Sequence, residues 1–151
     1  MVGQGDSKVN TTYKTAIKRT RLSAPARWLR DNNLLIGTML DYGCGHGFDA
    51  CELQMDLYDS HWYPTKPTKQ YDTICSIYML NVLEPYERTD ELIEMVSLLK
   101  PKGHLYVAVR RDIKKEGKTS KGAQYNVTLP YREIESNSRF CIYDITKGDL
   151  K

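Results

Sequence analysis

A chain of 151 residues fits one domain, and at this size about two-thirds of the surface exposed by the unfolded form is buried on folding. An apolar share of 40% and a charged share of 27% exclude a fully disordered chain, and no apolar run approaches the ~20 residues that span a bilayer. Net charge is only +3, from 22 Lys and Arg against 19 Asp and Glu, but the positive charge is uneven. Lys8, Lys14, Lys18, Arg19, Arg21, Arg27 and Arg30 follow one another with no acid between. That run is either a field that attracts the phosphates of a nucleic acid or an ordinary solvated face.

In chain order, residues 1–12 read as a flexible leader and residues 13–151 as a single domain. Tyr13 to Arg21 is expected to form a short basic helix. Ser23 before Pro25 predicts an N-capped helix to about Asp31, ended by Asn32 and Asn33. Thr38 to Tyr42 is a short apolar strand, the run from Gly43 to Gly47 a loop, Phe48 to Gln54 a helix of two turns, and Met55 to Asp59 a second strand. Two prolines make Ser60 to Gln70 a loop. Tyr71 to Tyr78 is a buried strand. Leu92, Ile93, Val96 and Leu99 mark the apolar face of a helix over Asp90 to Leu99, which Pro101 and Gly103 stop. His104 to Val109 alternates as a strand, Lys114 to Gly122 is a polar hairpin-like loop, and Tyr125 to Leu129 and Phe140 to Ile145 read as two further strands. The alternation of strand and helix predicts a parallel α/β sheet with an antiparallel pair at its C-terminal edge.

Cys44, Cys51, Cys75 and Cys141 show neither CxxC spacing nor clustering with histidine, so no metal site is expected. Small buried thiols suit a reducing cytoplasm, and no signal peptide is expected at the start.

The chemistry concentrates at Asp41, Gly43, Gly45 and Gly47, a D-x-G-x-G-x-G run between strand and helix. In an open parallel sheet, ligands bind at the carboxyl ends of the strands, where this loop lies. Glycines there let backbone approach a ligand with no Cβ between. Phe48 occupies the position where a dinucleotide fingerprint needs its last glycine, which argues against a pyrophosphate.

The run LDYGCGHG, Leu40 to Gly47, resembles motif I of the class I S-adenosylmethionine (SAM)-dependent methyltransferases. YDTICSIYMLNVLE, Tyr71 to Glu84, resembles that family's fourth strand and following turn, and LLKPKGHLYVAV, Leu98 to Val109, its next helix, turn and fifth strand. More narrowly, RTRLSAPARWL, MLNVL and VRRD resemble small methyltransferase-like proteins associated with DNA phosphorothioation systems and phage-like genomes. The resemblance implies a Rossmann-like three-layer methyltransferase fold, with SAM as cofactor and S-adenosylhomocysteine (SAH) as product. It implies a cofactor site of Asp41, Gly43, Cys44, Gly45, His46, Gly47, Asp59, Ser60 and Tyr78. Asp41 would lie near the methionine amine, and Asp59, with Asp56 as alternative, would hold the ribose hydroxyls. The fold is expected to be truncated in the middle, because the eleven residues between Asp59 and Tyr71 cannot supply the usual helix and third strand. His61, Trp62 or Tyr63 is then the candidate to cover adenine by stacking.

Catalytic candidates are Tyr78, Asn81 and Arg111, from the carboxyl ends of the fourth and fifth strands of that fold, beside Ser76, Arg110 and Asp112. Tyr78 either orients an acceptor or acts as a base. No N/D-P-P-Y/F tetrapeptide is present, which weakens an exocyclic base amine as acceptor. The basic start and Lys114, Lys115, Lys118 and Lys121 favour nucleic acid as a partner. The alternatives are an inactive SAM-fold binding module in a nucleic-acid-associated complex and an enzyme that destroys SAM itself.

Overall fold

The structure, a computed structural model, describes residues 16, 18–119 and 122–150. The leader and residues 13–15 and 17 of the expected basic helix lie outside these residues, and the other five, 16 and 18–21, are not helical.

The first helix, α1, is Ala24–Asp31. Ser23 caps it, its hydroxyl accepting from the Ala26 N–H at 3.3 Å, and Pro25 fits the first turn, where no intrahelical donor is needed. Strand β1 is Met39–Tyr42, helix α2 Phe48–Leu53 and strand β2 Asp56–Tyr58. No helix follows β2, and only an isolated bridge between Asp59 and Tyr63 interrupts the loop to β3, Tyr71–Ile77.

Helix α3 is Pro85–Ser97, which starts five residues before the expected Asp90. Its true start is a Glu-Pro step: the Glu87 carboxylate accepts from the Glu84 N–H at 3.0 Å, and Pro85 takes the first position. The buried face is Leu92, Met95 and Val96, whereas Ile93 is 53% exposed, contrary to the expected stripe. Leu99 belongs to the next strand, β4, Leu99–Arg110. That strand runs through Pro101 and Gly103 by a register shift against β3 between Tyr71 and Thr73, so the expected turn is a bulge.

Gly117–Thr119 and Gly122–Gln124 pair as a separate hairpin, β5 and β6. Tyr125 to Leu129 is not a strand. Its backbone instead serves neighbouring groups: Tyr125 N–H donates to the Asn81 carbonyl at 2.7 Å and Leu129 N–H to the Tyr143 hydroxyl at 3.1 Å. The antiparallel edge is built from Arg132–Ser136, β7, and Phe140–Ile145, β8. Arg132, Glu133 and Glu135 hide β7 from a hydrophobicity reading, although charge is what an edge strand exposed to water requires.

The six-stranded sheet runs β2-β1-β3-β4-β8-β7, parallel as far as β4 and antiparallel beyond. Alternate residues of its central strands enter different cores. Leu105, Val107 and Val109 of β4 pack with Cys141, Tyr143 and Ile145 of β8 against α3. Tyr106, Ala108, Phe140 and Ile142 pack on the other face with Leu29 of α1 and Ala50 of α2. The result is helix, sheet and helix in three layers. No described helix is long and apolar enough to cross a membrane.

Candidate functional site

The ends of β1, β2 and β3 surround a cavity of about 290 Å³, close to the roughly 300 Å³ lower end of small-molecule pockets. Asp41, Gly43, Cys44, Gly45, Asp59, Ser60 and Tyr78 line it, so the structure brings seven of the nine expected cofactor residues to one place. His46 and Gly47 do not line it. They complete the turn into α2, where Gly47 N–H donates to the Cys44 carbonyl at 3.0 Å.

The glycine loop is stapled to β2. Gly43 and Cys44 N–H groups both donate to the Tyr58 carbonyl, at 2.7 and 3.0 Å. Gly43 has φ +82°, and a Cβ there would meet Met79 Sδ at 2.6 Å, so only glycine lets Met79 close the loop from above. Gly45 N–H donates to Asp59 Oδ2 at 2.8 Å, while Asp59 Oδ1 accepts from His61 and Trp62 N–H groups at 2.9 and 3.0 Å. A carboxylate has about four acceptor sites, so roughly one is left for a ligand hydroxyl where the expected diol contact needs two. Asp56, the alternative, faces away: it binds the Tyr71 hydroxyl at 2.6 Å and Lys69 at 3.3 Å and does not line the cavity.

Of the three candidates to cover adenine, only His61 lines the cavity. Trp62 packs against His46 as a tilted ring pair with centroids 4.3 Å apart, and the Tyr63 hydroxyl donates to the His46 carbonyl at 3.2 Å. Both rings lock the Ser60–Gln70 loop onto the glycine loop.

Asp41 is 3% exposed. Burial above all, then the carboxylates of Asp49 and Asp59, pushes its pKa from 3.8 up to about 8, against the pull of Arg19. Burial likewise raises the Cys44 thiol, with Asp41 and Asp59 adding to it, so no reactive thiolate forms there. Tyr78 sits at φ +62°, an uncommon backbone state for a bulky residue that turns the chain at the end of β3. Burial above all raises its phenol, against the pull of Arg19, Arg110 and Arg139, an environment that favours the orienting role over the base of the two expected for it.

Two expected catalytic residues lie outside the cavity. Asn81 is fully buried and both ends of its amide are engaged, Nδ2 donating to the Tyr125 carbonyl at 2.8 Å and Oδ1 accepting from the Arg110 N–H at 2.8 Å. Arg111 donates to the Val127 carbonyl at 2.8 Å and the Tyr143 hydroxyl at 3.0 Å. Both hold the segment after β6 onto the sheet, a use that their place in sequence does not reveal. Ser76 is buried in the sheet and outside the cavity.

Sequence reasoning missed Ala16, Arg19, Glu87 and Glu91, which complete the cavity wall. Arg19 was visible only as one charge in a basic run. What holds its segment over the loop is distant: the Ser23 N–H and hydroxyl donate to the two Asp49 oxygens at 2.9 and 2.6 Å. No group of His, Cys, Asp or Glu among the described residues is arranged to hold a metal ion.

No protein-family model matches the sequence, and no curated protein matches it. Among solved structures, the chain is similar to a DhpI–SAH complex at TM-score 0.52 and 15% identity, over 80% of this chain and 82% of that one. It also matches magnesium protoporphyrin IX methyltransferase (ChlM) from Synechocystis PCC 6803 with bound SAM, at TM-score 0.47 and 13% identity, over 93% of this chain and 85% of that one. The likeness to the DhpI complex, taken with the layer order and the loop at the first strand, shows the fold: a Rossmann-like three-layer methyltransferase fold, without helix or strand between β2 and β3 and with an antiparallel edge.

Proposed function

We propose that this chain binds SAM in the cavity beside Gly43 and Gly45 and transfers its methyl group to an acceptor. The observation that carries the reading is the pairing, in one cavity wall at the glycine loop, of a buried acid, Asp41, with an arginine, Arg19. Those opposed charges fit the ammonium and carboxylate of an amino-acid ligand, and the open acceptor site of Asp59 fits a sugar hydroxyl. That the DhpI structure of similar fold is a complex with SAH supports the same ligand.

Bound SAM supplies an electrophilic methyl carbon on a sulfonium. The protein's part is placement and exclusion of water. Asp41 takes a cation more readily once ionised. Met79, Val82 and Leu83 add apolar surface to the cavity lining, to which Tyr78 also belongs. No general base is required when the acceptor has a free lone pair and its proton leaves to water.

Titration calorimetry with SAH tests the reading on wild type and on Gly45→Asn. Asn tolerates the φ of +56° found there, but its side chain enters the space in front of Ala16, 3.2 Å from where Cβ would lie. Binding should weaken at least tenfold with the melting temperature nearly unchanged. Equal affinity in the two proteins would remove the assignment. Release of SAH from SAM in the presence of an acceptor pool separates an enzyme from a binding module, and release without any acceptor would indicate destruction of SAM.

A further inference from the structure

We propose that the acceptor carries an anionic group, a carboxylate or a phosphate, held by Arg110 and Arg139 at the strand ends beside Tyr78. The word acceptor rests on the methyl-donor reading; the anion site does not.

Three neighbouring strands end in one row. Tyr78 follows β3, and its N–H donates to the Ala108 carbonyl of β4 at 2.9 Å. β4 ends at Arg110, which pairs directly with Phe140 at the start of β8, so Arg139 precedes that pair. The row is fixed by backbone contacts. Asn81 Oδ1 holds the Arg110 N–H at 2.8 Å, Asn137 Oδ1 holds the Arg139 N–H at 2.9 Å, and the Arg139 carbonyl accepts from the Arg111 N–H at 2.8 Å. Arg19, on the segment before α1, lines the cavity with Tyr78, whereas Arg110 and Arg139 lie outside its lining. All three guanidinium groups draw the Tyr78 phenol downward electrostatically, although burial outweighs them.

The countercharge is incomplete. Asp112 binds Arg110 at 2.8 Å, but among the described residues no carboxylate lies within ion-pair distance of Arg19 or Arg139. The cavity itself is lined by Asp41, Asp59, Glu87 and Glu91. A cationic donor is therefore favoured among the carboxylates in the cavity, and an anion at Arg110 and Arg139 outside it, on the far side of Tyr78 in the row of strand ends. Guanidinium groups bind carboxylate and phosphate with two parallel hydrogen bonds, which orients as well as attracts. An acceptor held there presents a lone pair beside Tyr78. The methyl carbon bonds to that lone pair, the carbon–sulfur bond breaks with its electron pair staying on sulfur, and any displaced proton goes to water.

The test uses the full chain. Calorimetry with SAH establishes the donor site first. Arginine side-chain nitrogen resonances are then followed while inorganic phosphate, acetate, a nucleoside monophosphate and a single-stranded oligonucleotide are titrated in turn. Saturable shifts at Arg110 and Arg139 are expected, weakened at least tenfold by Arg139→Glu and partly kept by Arg139→Lys, with SAH affinity unchanged. Arg110→Gln gives the same readout if the first variant does not fold. Affinity that climbs from phosphate to oligonucleotide with steep salt dependence identifies a nucleic-acid anion, and affinity that does not climb identifies a small-molecule one. SAH binding with no anion-induced shift, or with undiminished shifts in the Arg139→Glu protein, would overturn the proposal. Anion binding without SAH binding would instead remove the donor reading and leave the anion site standing.

Discussion

Asp41 shows how one residue links stability to ligand binding. Its carboxyl titrates near 8 in the folded chain and near 3.8 when exposed, so between those values the folded state holds a proton that the unfolded state has released. Stability therefore falls as pH rises through that window, and the penalty is complete above about 8. Asp41→Asn removes it. The melting temperature of the variant relative to wild type should climb from pH 4 to pH 8, as differential scanning calorimetry would read, and a constant offset would contradict the burial argument. A bound cation favours the ionised carboxylate, so SAM affinity of the wild type should rise over the upper part of the same window and stay flat in the variant. Asp41 and Asp59 stand out in the sequence because each follows a short apolar run. Asn81 and Arg111 look equally promising there, but their hydrogen bonds go to backbone about 15 to 45 residues away, which no local pattern encodes.

At the scale of elements, the site depends on how α1 is fastened. Ser23 caps α1 and holds Asp49 of α2 with both its N–H and its hydroxyl, so one residue sets the start of the helix and the path of the segment that carries Arg19. Ser23→Ala loses the cap and leaves one Asp49 oxygen without its donor, a combined cost of about 2 kcal/mol. A fall of roughly 4 to 8 °C in melting temperature follows for a chain of this length, together with weaker SAH binding. Ser23→Thr should retain most of both. An unchanged melting temperature would mean that the cap is not part of the folded state. Helices α1 and α2 are legible because their caps and glycines are local. The early start of α3 is less so, since Glu84 is an unusual cap and Pro85 reads as a breaker. β7 is invisible because a charged edge strand lacks the alternation that marks a half-buried one.

For the whole molecule, the absence of helix or strand between β2 and β3 leaves the Ser60–Gln70 loop as the only cover on that side among the described residues. Trp62 and Tyr63 fasten it to the glycine loop through His46, so loop and cavity share one set of contacts. A ligand at the cavity stabilises both by mass action. SAH at a hundred times its Kd should add about 2.7 kcal/mol, or roughly 5 to 10 °C in melting temperature. Trp62→Ala should reduce that shift more than it reduces the melting temperature of the free protein. Equal losses in both would assign Trp62 to general packing alone.

By itself the sequence determined the glycine loop, the strand that feeds it, the short helix that follows, the missing middle and the α/β class, because glycine spacing, apolar runs and proline placement act within a few residues. Only the tertiary structure decided which polar residues face the cavity and which bind backbone, that Arg19 lines the cavity, that the chain at Tyr78, Arg110 and Arg139 forms one row of strand ends, and that β7 rather than Tyr125 to Leu129 completes the edge. Those outcomes depend on strand order and on hydrogen bonds between distant segments, where the partner of a side chain is chosen by packing and not by its neighbours in the chain.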